Sequence, residues 1–404
     1  MRTWSVTTGK EAAPYCQDVT LDVGVGSDAS PARADDLSRE VYCILGVPVD
    51  AVGISSVLRS IETAAVGKKP FFLSTPNLNF LVNSQLDSDF RESLLMSDMC
   101  LPDGMPILGI ARLIGVPIRT RIPGSDIFDA LKCARTSAKP LKIFLFGGPE
   151  DAAATASRAL NAEAGGLYCV GSLYPGFGSV DEMSRGDIID DINASGADFL
   201  VASLGARKGQ SWLQRNHHRF LIPVRAHLGA TLNFQAGTVR RAPSIMQRYG
   251  LEWLWRIKEE PYLWRRYWHD GKALLRLLFS RVLPLAIRLW WLRLGYQRGG
   301  QDLVVTWAPG HGSVTVSLSG FAVARHVDRI VSVFRDALAT KKRMFVDLSE
   351  TCAIDARFLG LLLMVRKQLT ASGVGLIFIG LSPALESIFR LNGLGFLLVS
   401  QESA

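Results

Sequence analysis

At 404 residues the chain exceeds one average domain, which predicts two domains with an extension. Hydrophobic residues make up 48% and charged ones 20%, enough apolar content for packed cores, so a disordered chain is excluded. The formal net charge of +8 predicts an acidic partner: nucleic acid, anionic lipid or a phosphate-bearing substrate.

The six cysteines, Cys16, Cys43, Cys100, Cys133, Cys169 and Cys352, are scattered, with no CxxC pair and no His at metal spacing. That pattern calls for neither a metal site nor a disulfide framework, and a reducing compartment fits it. No apolar run follows Met1 to Ser5, so no signal peptide is expected. Residues 1–38 are small and polar and read as a flexible leader.

A strand is expected from Val41 to Leu45 and a helix from Ile54 to Ala65. The apolar run Pro70 to Thr75 reads as a buried strand of a parallel sheet. Its carboxyl end delivers Thr75, Asn77 and Asn79, at the place where open α/β sheets collect ligands. Asn77 reads equally as a helix cap. A helix over 78–97 then leads through Met99-Cys100-Leu101 into Pro102-Asp103-Gly104, a turn that can hold a carboxylate at a cleft edge. Taken alone, that tripeptide is an ordinary surface turn.

After a helix from Met105 to Ile114, the basic turn Arg119 to Asp126 runs into a helix capped by Ser125 or Asp126. With Arg119 and Arg121 beside it, that helix start reads either as a phosphate site or as solvated surface. Leu141 to Gly148 is a strand ending in a glycine turn, Gly147-Gly148, but it is neither GxGxxG nor a P-loop. Further strands are expected near 168–171, 197–204 and 224–228, with a helix over 187–195 and a loop from Gly205 through Lys208 and Gln210 to Trp212. Alternating strands and helices predict an α/β class, a mainly parallel Rossmann-like sheet with helices on both faces.

Residues 248–296 mix ten arginines and lysines with Trp253, Trp255, Trp264, Trp268, Trp290 and Trp291. Arg276, Arg281 and Arg288 interrupt the apolar residues, so the segment is too charged to span a bilayer and reads as lying on a membrane surface. A hairpin packed on the enzyme with solvated arginines is the alternative. Pro284 is expected to kink it. Basic residues beside tryptophans, with no nucleic-acid module, rank nucleic acid low as a partner.

The ordered motifs Thr75-Pro76-Asn77, Pro102-Asp103-Gly104, Gly124-Ser125-Asp126, Phe144 to Gly148, Arg240 to Pro243, Gly250-Leu251-Glu252-Trp253 and Glu260 to Tyr267 resemble the WecG/TagA/CpsF glycosyltransferases. The resemblance runs from about Val41 to Tyr267. It implies a two-lobed enzyme that moves a sugar, with inversion and without cofactor or metal, from a UDP-sugar to a polyprenyl-diphosphate-linked saccharide at the cytoplasmic membrane face. It implies Asp103 as general base and Thr75 as a substrate-binding neighbour. Asn77, Asn79, Gly104, Arg121, Ser125, Asp126, Gly147, Gly148, Lys208 and Gln210 are then expected on the substrate and nucleotide side. Arg256, Arg265, Arg266 and Trp253 are expected to meet lipid diphosphate or the membrane. The sequence departs from the family at Gly209 and Gln210, where many members carry glutamine and glutamate.

Beyond a linker expected at 297–302, the strands and helices of 303–404, with Val346 to Ser349 and Ile354 to Gly360, resemble a STAS domain. The serine that this family phosphorylates falls at Ala356, which has no hydroxyl, so the resemblance implies a protein-interaction or regulatory module. The expected division is therefore a catalytic domain over 39–240, a basic aromatic appendage over 241–296 and the STAS-like domain. Two rival readings are a nicotinamide-dependent oxidoreductase built on the Gly147-Gly148 turn, and a membrane-tethered scaffold acting through its STAS domain.

Overall fold

The computed structural model describes residues 35–134, 139–163, 165–229, 231–297 and 302–399. Of the expected leader only 35–38 fall among them, and of the expected linker only 297 and 302. In chain order the strands are β1 (Val41–Ile44), β2 (Val47–Asp50), β3 (Phe71–Ser74), β4 (Met99–Cys100), β5 (Leu141–Gly147), β6 (Leu167–Leu173), β7 (Phe199–Ser203), β8 (Val224–His227), β9 (Val304–Pro309), β10 (Ser313–Ala322), β11 (Arg343–Ile354) and β12 (Leu376–Ile379). The helices up to the appendage are α1 (Ile54–Val66), α2 (Leu78–Leu86), α3 (Ser88–Leu95), α4 (Met105–Ile114), α5 (Gly124–Cys133), α6 (Ala152–Ala162), α7 (Gly186–Ala194), α8 (Ala206–Asn216) and α9 (Thr231–Gln235). The rest are α10 (Ser244–Arg248), α11 (Glu252–Glu259), α12 (Trp264–Leu277), α13 (Leu283–Gln297), α14 (Val327–Ala339), α15 (Ala356–Ala371), α16 (Pro383–Leu391) and α17 (Phe396–Val399).

Six strands form a sheet in the order β4-β3-β8-β7-β5-β6, and every pair in it is parallel. The reason is in the runs Phe71–Ser74 and Phe199–Ser203, which are buried along their whole length. Such strands need cover on both faces, and only helical crossovers give a parallel sheet that cover. On one face α1, α5 and α6 contribute Leu58, Ile61, Phe128 and Ala156; on the other, α7 and α8 contribute Ile189, Ile192 and Trp212. Trp212 stacks on Phe146 with centroids 4.1 Å apart and donates its indole N–H to the Met183 carbonyl at 2.9 Å.

Three local expectations change. The strand expected at Val41–Leu45 is half of an antiparallel hairpin, β1 with β2, turned by Leu45-Gly46, both at positive φ. The helix expected over 78–97 breaks at Asp87, whose carboxylate caps α3 by accepting from Asp89 N and Phe90 N at 3.0 and 3.1 Å, worth about 1 kcal/mol. The expected loop 205–212 is instead the start of α8. Pro284, expected to kink the appendage helix, is the second residue of α13, and a π-turn at Leu278–Val282 lies directly ahead of it between α12 and α13.

A second sheet, β12-β11-β10-β9, carries α14, α15 and α16. Helix α15 lies across β1: Gly360 comes so close that a Cβ there would stand 2.2 Å from the Val41 carbonyl oxygen. Arg357 donates to the carbonyls of Val41 and Arg39, both at 3.1 Å. Buried Lys367 bonds Asp36, Asp98 and the Ser97 carbonyl. One apolar core therefore runs from α2, α3 and α4 through the hairpin into α14 and α15, and takes in Leu277, Val282, Leu285 and Leu289 of the appendage. Among the described cysteines, Cys43, Cys100, Cys169 and Cys352 are free thiols.

Candidate active site

The carboxyl ends of β3, β7 and β8 open into a cleft of about 1040 Å³, closed on its far side by α11 and α12. Thr75, the residue after β3, is buried at its floor. Asn77 caps α2 by accepting from Phe80 N at 3.2 Å. It lines the cleft as well, so the cap and the site residue are the same side chain. Asn79, two residues on, donates to both carboxylate oxygens of Asp270 on α12 at 3.2 Å.

Asp103 sits on the turn before α4, with its amide donating to the Pro76 carbonyl at 3.0 Å. Gly104 follows at φ 93 as the helix start, a backbone state that favours glycine. The turn is thereby fixed to the β3 end rather than left on the surface. Burial above all, with the Glu252 and Asp126 charges, pushes the Asp103 carboxyl up to about 7, against the Arg121 charge and the Asn77 amide, which hold it down. Such a value suits a group that exchanges protons near neutral pH.

Five cations face the cleft: Arg121, Lys208, Arg241, Arg256 and Arg266. Arg121 is gripped by Glu252 through both terminal nitrogens at 2.8 Å. Arg241 pairs with Asp126 and Asp129, and Arg256 with Glu260 at 2.5 Å. Tyr262 donates to the same Glu260 at 2.6 Å. Lys208 donates only to the Gly178 carbonyl, at 2.7 Å, and Arg266 lies 5.0 Å from the Tyr267 ring centre. Among the described residues neither Lys208 nor Arg266 is in a close ion pair, although the charge of Arg266 acts on Asp270 and that of Lys208 on Glu182, so both retain donors for an anion in the cleft. Among the described residues no group of three or more His, Cys, Asp and Glu is arranged to hold a metal ion.

Of the residues singled out in the sequence, the cleft gathers Thr75, Asn77, Asn79, Asp103, Gly104, Arg121, Ser125, Gly148, Lys208, Trp253, Arg256 and Arg266. Four others stand apart from its lining. Gln210 is fully buried inside α8 and donates to Ser74 Oγ at 2.7 Å. Asp126 is turned under Arg241, Gly147 is packed against Ser203 and Leu204, and Arg265 is exposed beside Trp264. Sequence reasoning missed Arg241 as a cleft residue, together with Glu252, Glu260, Asp270 and His227, which all line it. The available signal was the grouping of acidic with basic residues in Gly250 to Asp270, where only the cations had drawn attention.

Comparison with known proteins places the chain in a family. The glycosyl transferase WecG/TagA/CpsF family matches residues 42–286 and the Mlab, STAS domain family matches 308–399. An N-acetylglucosaminyldiphosphoundecaprenol N-acetyl-beta-D-mannosaminyltransferase of Bacillus spizizenii is 26% identical over 53% of this chain and 81% of its own length. Proteins of the same name from Bacillus subtilis and Staphylococcus aureus are 27% and 24% identical, over 58% and 55% of this chain and 90% and 85% of their own lengths. With a family match over more than half its length, the chain belongs to the WecG/TagA/CpsF glycosyltransferase family and carries a STAS domain at its carboxyl end.

Proposed function

We propose that the protein transfers a sugar, with inversion, from a UDP-sugar to a polyprenyl-diphosphate-linked saccharide, in the synthesis of a cell-surface polysaccharide. The observation that carries this reading is Asp103: a carboxyl raised to about 7, fixed at the end of the parallel sheet in a cleft that Lys208 and Arg266 also line. The acceptor hydroxyl attacks the anomeric carbon and its proton passes to Asp103, while the bond to UDP breaks with its electron pair on the diphosphate. Lys208 and Arg266 are suited to the charge that develops there. The acceptor class follows the relatives, whose names specify N-acetylglucosaminyldiphosphoundecaprenol.

Catalytic residues 39–240, the appendage 241–296 and the STAS domain then act as one peripheral enzyme at the cytoplasmic membrane face. No described helix is long and apolar enough to cross a membrane. Instead the appendage turns tryptophans and arginines outward, a composition suited to the headgroup layer.

The test is transfer of radiolabelled sugar from a panel of UDP-sugars to a diphosphate-linked lipid acceptor. One donor is expected to give product, and Asp103→Asn is expected to fold normally and lose at least a hundredfold in rate, the usual contribution of a placed base. Near-normal turnover in Asp103→Asn removes Asp103 from the mechanism.

A further inference from the structure

The Arg121–Glu252 ion pair joins two segments far apart in the chain. Arg121 stands on the loop between α4 and α5, and Glu252 is the first residue of α11 in the appendage. Their side chains are 16% and 33% exposed. A two-point pair partly withdrawn from water is stronger than an ordinary surface pair. Arg121 also donates to the Gln247 carbonyl on α10 at 3.3 Å. Gly250, at φ 71, lies against Met105, where a Cβ would come within 2.3 Å of Met105 Cγ. The appendage is thus held at two points against the segment that carries Asp103.

The charged and polar groups facing Asp103 come from each of these elements. Glu252 of α11 and Asp126 of α5 are anionic, Arg121 is cationic and Asn77 donates a hydrogen bond. Arg241, the other cation near Asp126, is taken by Asp126 and Asp129. Among the described residues the hydrogen bonds of Arg121 go to Glu252 and Gln247, and none goes to Asp103.

We propose that Glu252 is a positioning residue for the transfer: by gripping both terminal nitrogens of Arg121 it keeps that cation off Asp103 and ties the competence of the base to docking of the appendage. The inference deepens the proposed transfer and rests on Asp103 as its base. A carboxylate beside a free guanidinium is a weaker base than one whose neighbouring cation is already neutralised. Charge and geometry act in one direction here, because loss of the Glu252 carboxylate both removes an anion beside Asp103 and releases Arg121 toward it.

The experiment uses the full-length protein with aspartate ¹³C-labelled at its carboxyl. The Asp103 resonance, assigned by its absence in Asp103→Asn, is titrated in the wild type, in Glu252→Gln and in Glu252→Asp. The kcat/KM profile against pH is recorded for the same proteins. Glu252→Gln is expected to lower the Asp103 midpoint, and with it the acid limb of the rate profile, by about one pH unit. Glu252→Asp, which keeps the charge, is expected to leave both in place, and Arg121→Gln/Glu252→Gln is expected to return them toward the wild type. An unmoved midpoint in Glu252→Gln, with activity reduced equally at every pH, makes Glu252 a structural tether only and overturns the inference. It is overturned as well if Glu252→Gln unfolds while Glu252→Asp shifts the midpoint as a neutral residue would. Failure of Asp103 as the base is a separate outcome, seen as retained turnover in Asp103→Asn whatever the titration gives.

Discussion

Gly209 and His227 occupy one space: a Cβ on Gly209 would stand 2.2 Å from His227 Cδ2 and 2.8 Å from its Nε2. Gly209 lies in the interior of α8, where glycine normally costs about 1 kcal/mol against alanine. His227, at the end of β8, is buried and bonds through Nε2 to the Leu204 carbonyl. The departure from the family pattern at Gly209 therefore has a physical counterpart, a ring that fills the room a longer side chain would need.

Gly209→Ala is accordingly expected to destabilise the protein by about 1–3 kcal/mol, the range for forcing atoms into a packed core, against the gain that helix propensity alone predicts. Gly209→Ala/His227→Ala is expected to recover stability relative to His227→Ala. Urea denaturation of the four proteins measures the coupling. Simple additivity of the two substitutions contradicts the steric account.

Asp103 links stability to pH. Its carboxyl titrates near 7 in the folded protein against an ordinary value of 3.8, so folding favours the protonated form. The contribution is fully present below pH 3.8 and is lost as pH rises through 7. Asp103→Asn stays neutral throughout. It is expected to match the wild type in stability near pH 4 and to exceed it at pH 8, by on the order of 3 kcal/mol after allowance for partial solvent access to the cleft. Thermal melts across that range decide the matter, and a gap independent of pH would remove the raised carboxyl.

How much of this was legible depends on how local each signal is. The β3 run and the turn at Asp103 could be read because their cues lie within a few residues: a wholly apolar strand, then proline and glycine around a carboxylate. The STAS elements followed from alternation in the same way. The start of α8 was misread because Gly205 and Gly209 punctuate it like a loop, and the reason glycine is tolerated there lies on β8, eighteen residues further on. The pairing of Arg121 with Glu252 and of Arg241 with Asp126 and Asp129 spans more than a hundred residues. No period or spacing marks such pairs in one sequence, so Arg121 and Asp126 were found while Glu252, Arg241 and Asp129 were not.

Lys367 of α15 is 6% exposed and reaches across the seam to Asp36, just before β1, at 2.9 Å and to Asp98, just before β4, at 3.0 Å. Removing one member of a buried charged set leaves its partners uncompensated. Lys367→Met is expected to cost about 3 kcal/mol and to split one cooperative urea transition into two, because the common core loses its polar fastening there. Tryptophan fluorescence and far-UV circular dichroism, followed together, show whether the transitions separate. A single coincident transition at unchanged midpoint would mean that the apolar contacts of α15 suffice.

The outer face of α12 and α13 gives the last prediction. Trp264, Trp268, Leu275, Phe279, Ile287, Trp290 and Trp291 are exposed, while Leu277, Val282, Leu285 and Leu289 of the same helices turn into the core. Arg265, Lys272, Arg276 and Arg288 are exposed among the outward rings. A soluble surface gains nothing from such a stripe, whereas a headgroup layer buries the rings and meets the cations with phosphate. Trp268→Ser/Phe279→Ser is expected to weaken binding to vesicles containing anionic lipid by about 2–3 kcal/mol, from two partly buried rings, or roughly 30- to 150-fold. Salt is expected to weaken the wild type and this variant alike, since the cations remain. Co-sedimentation with anionic and with purely zwitterionic vesicles measures both terms. Equal binding by wild type and variant would place the membrane contact on another face of the protein.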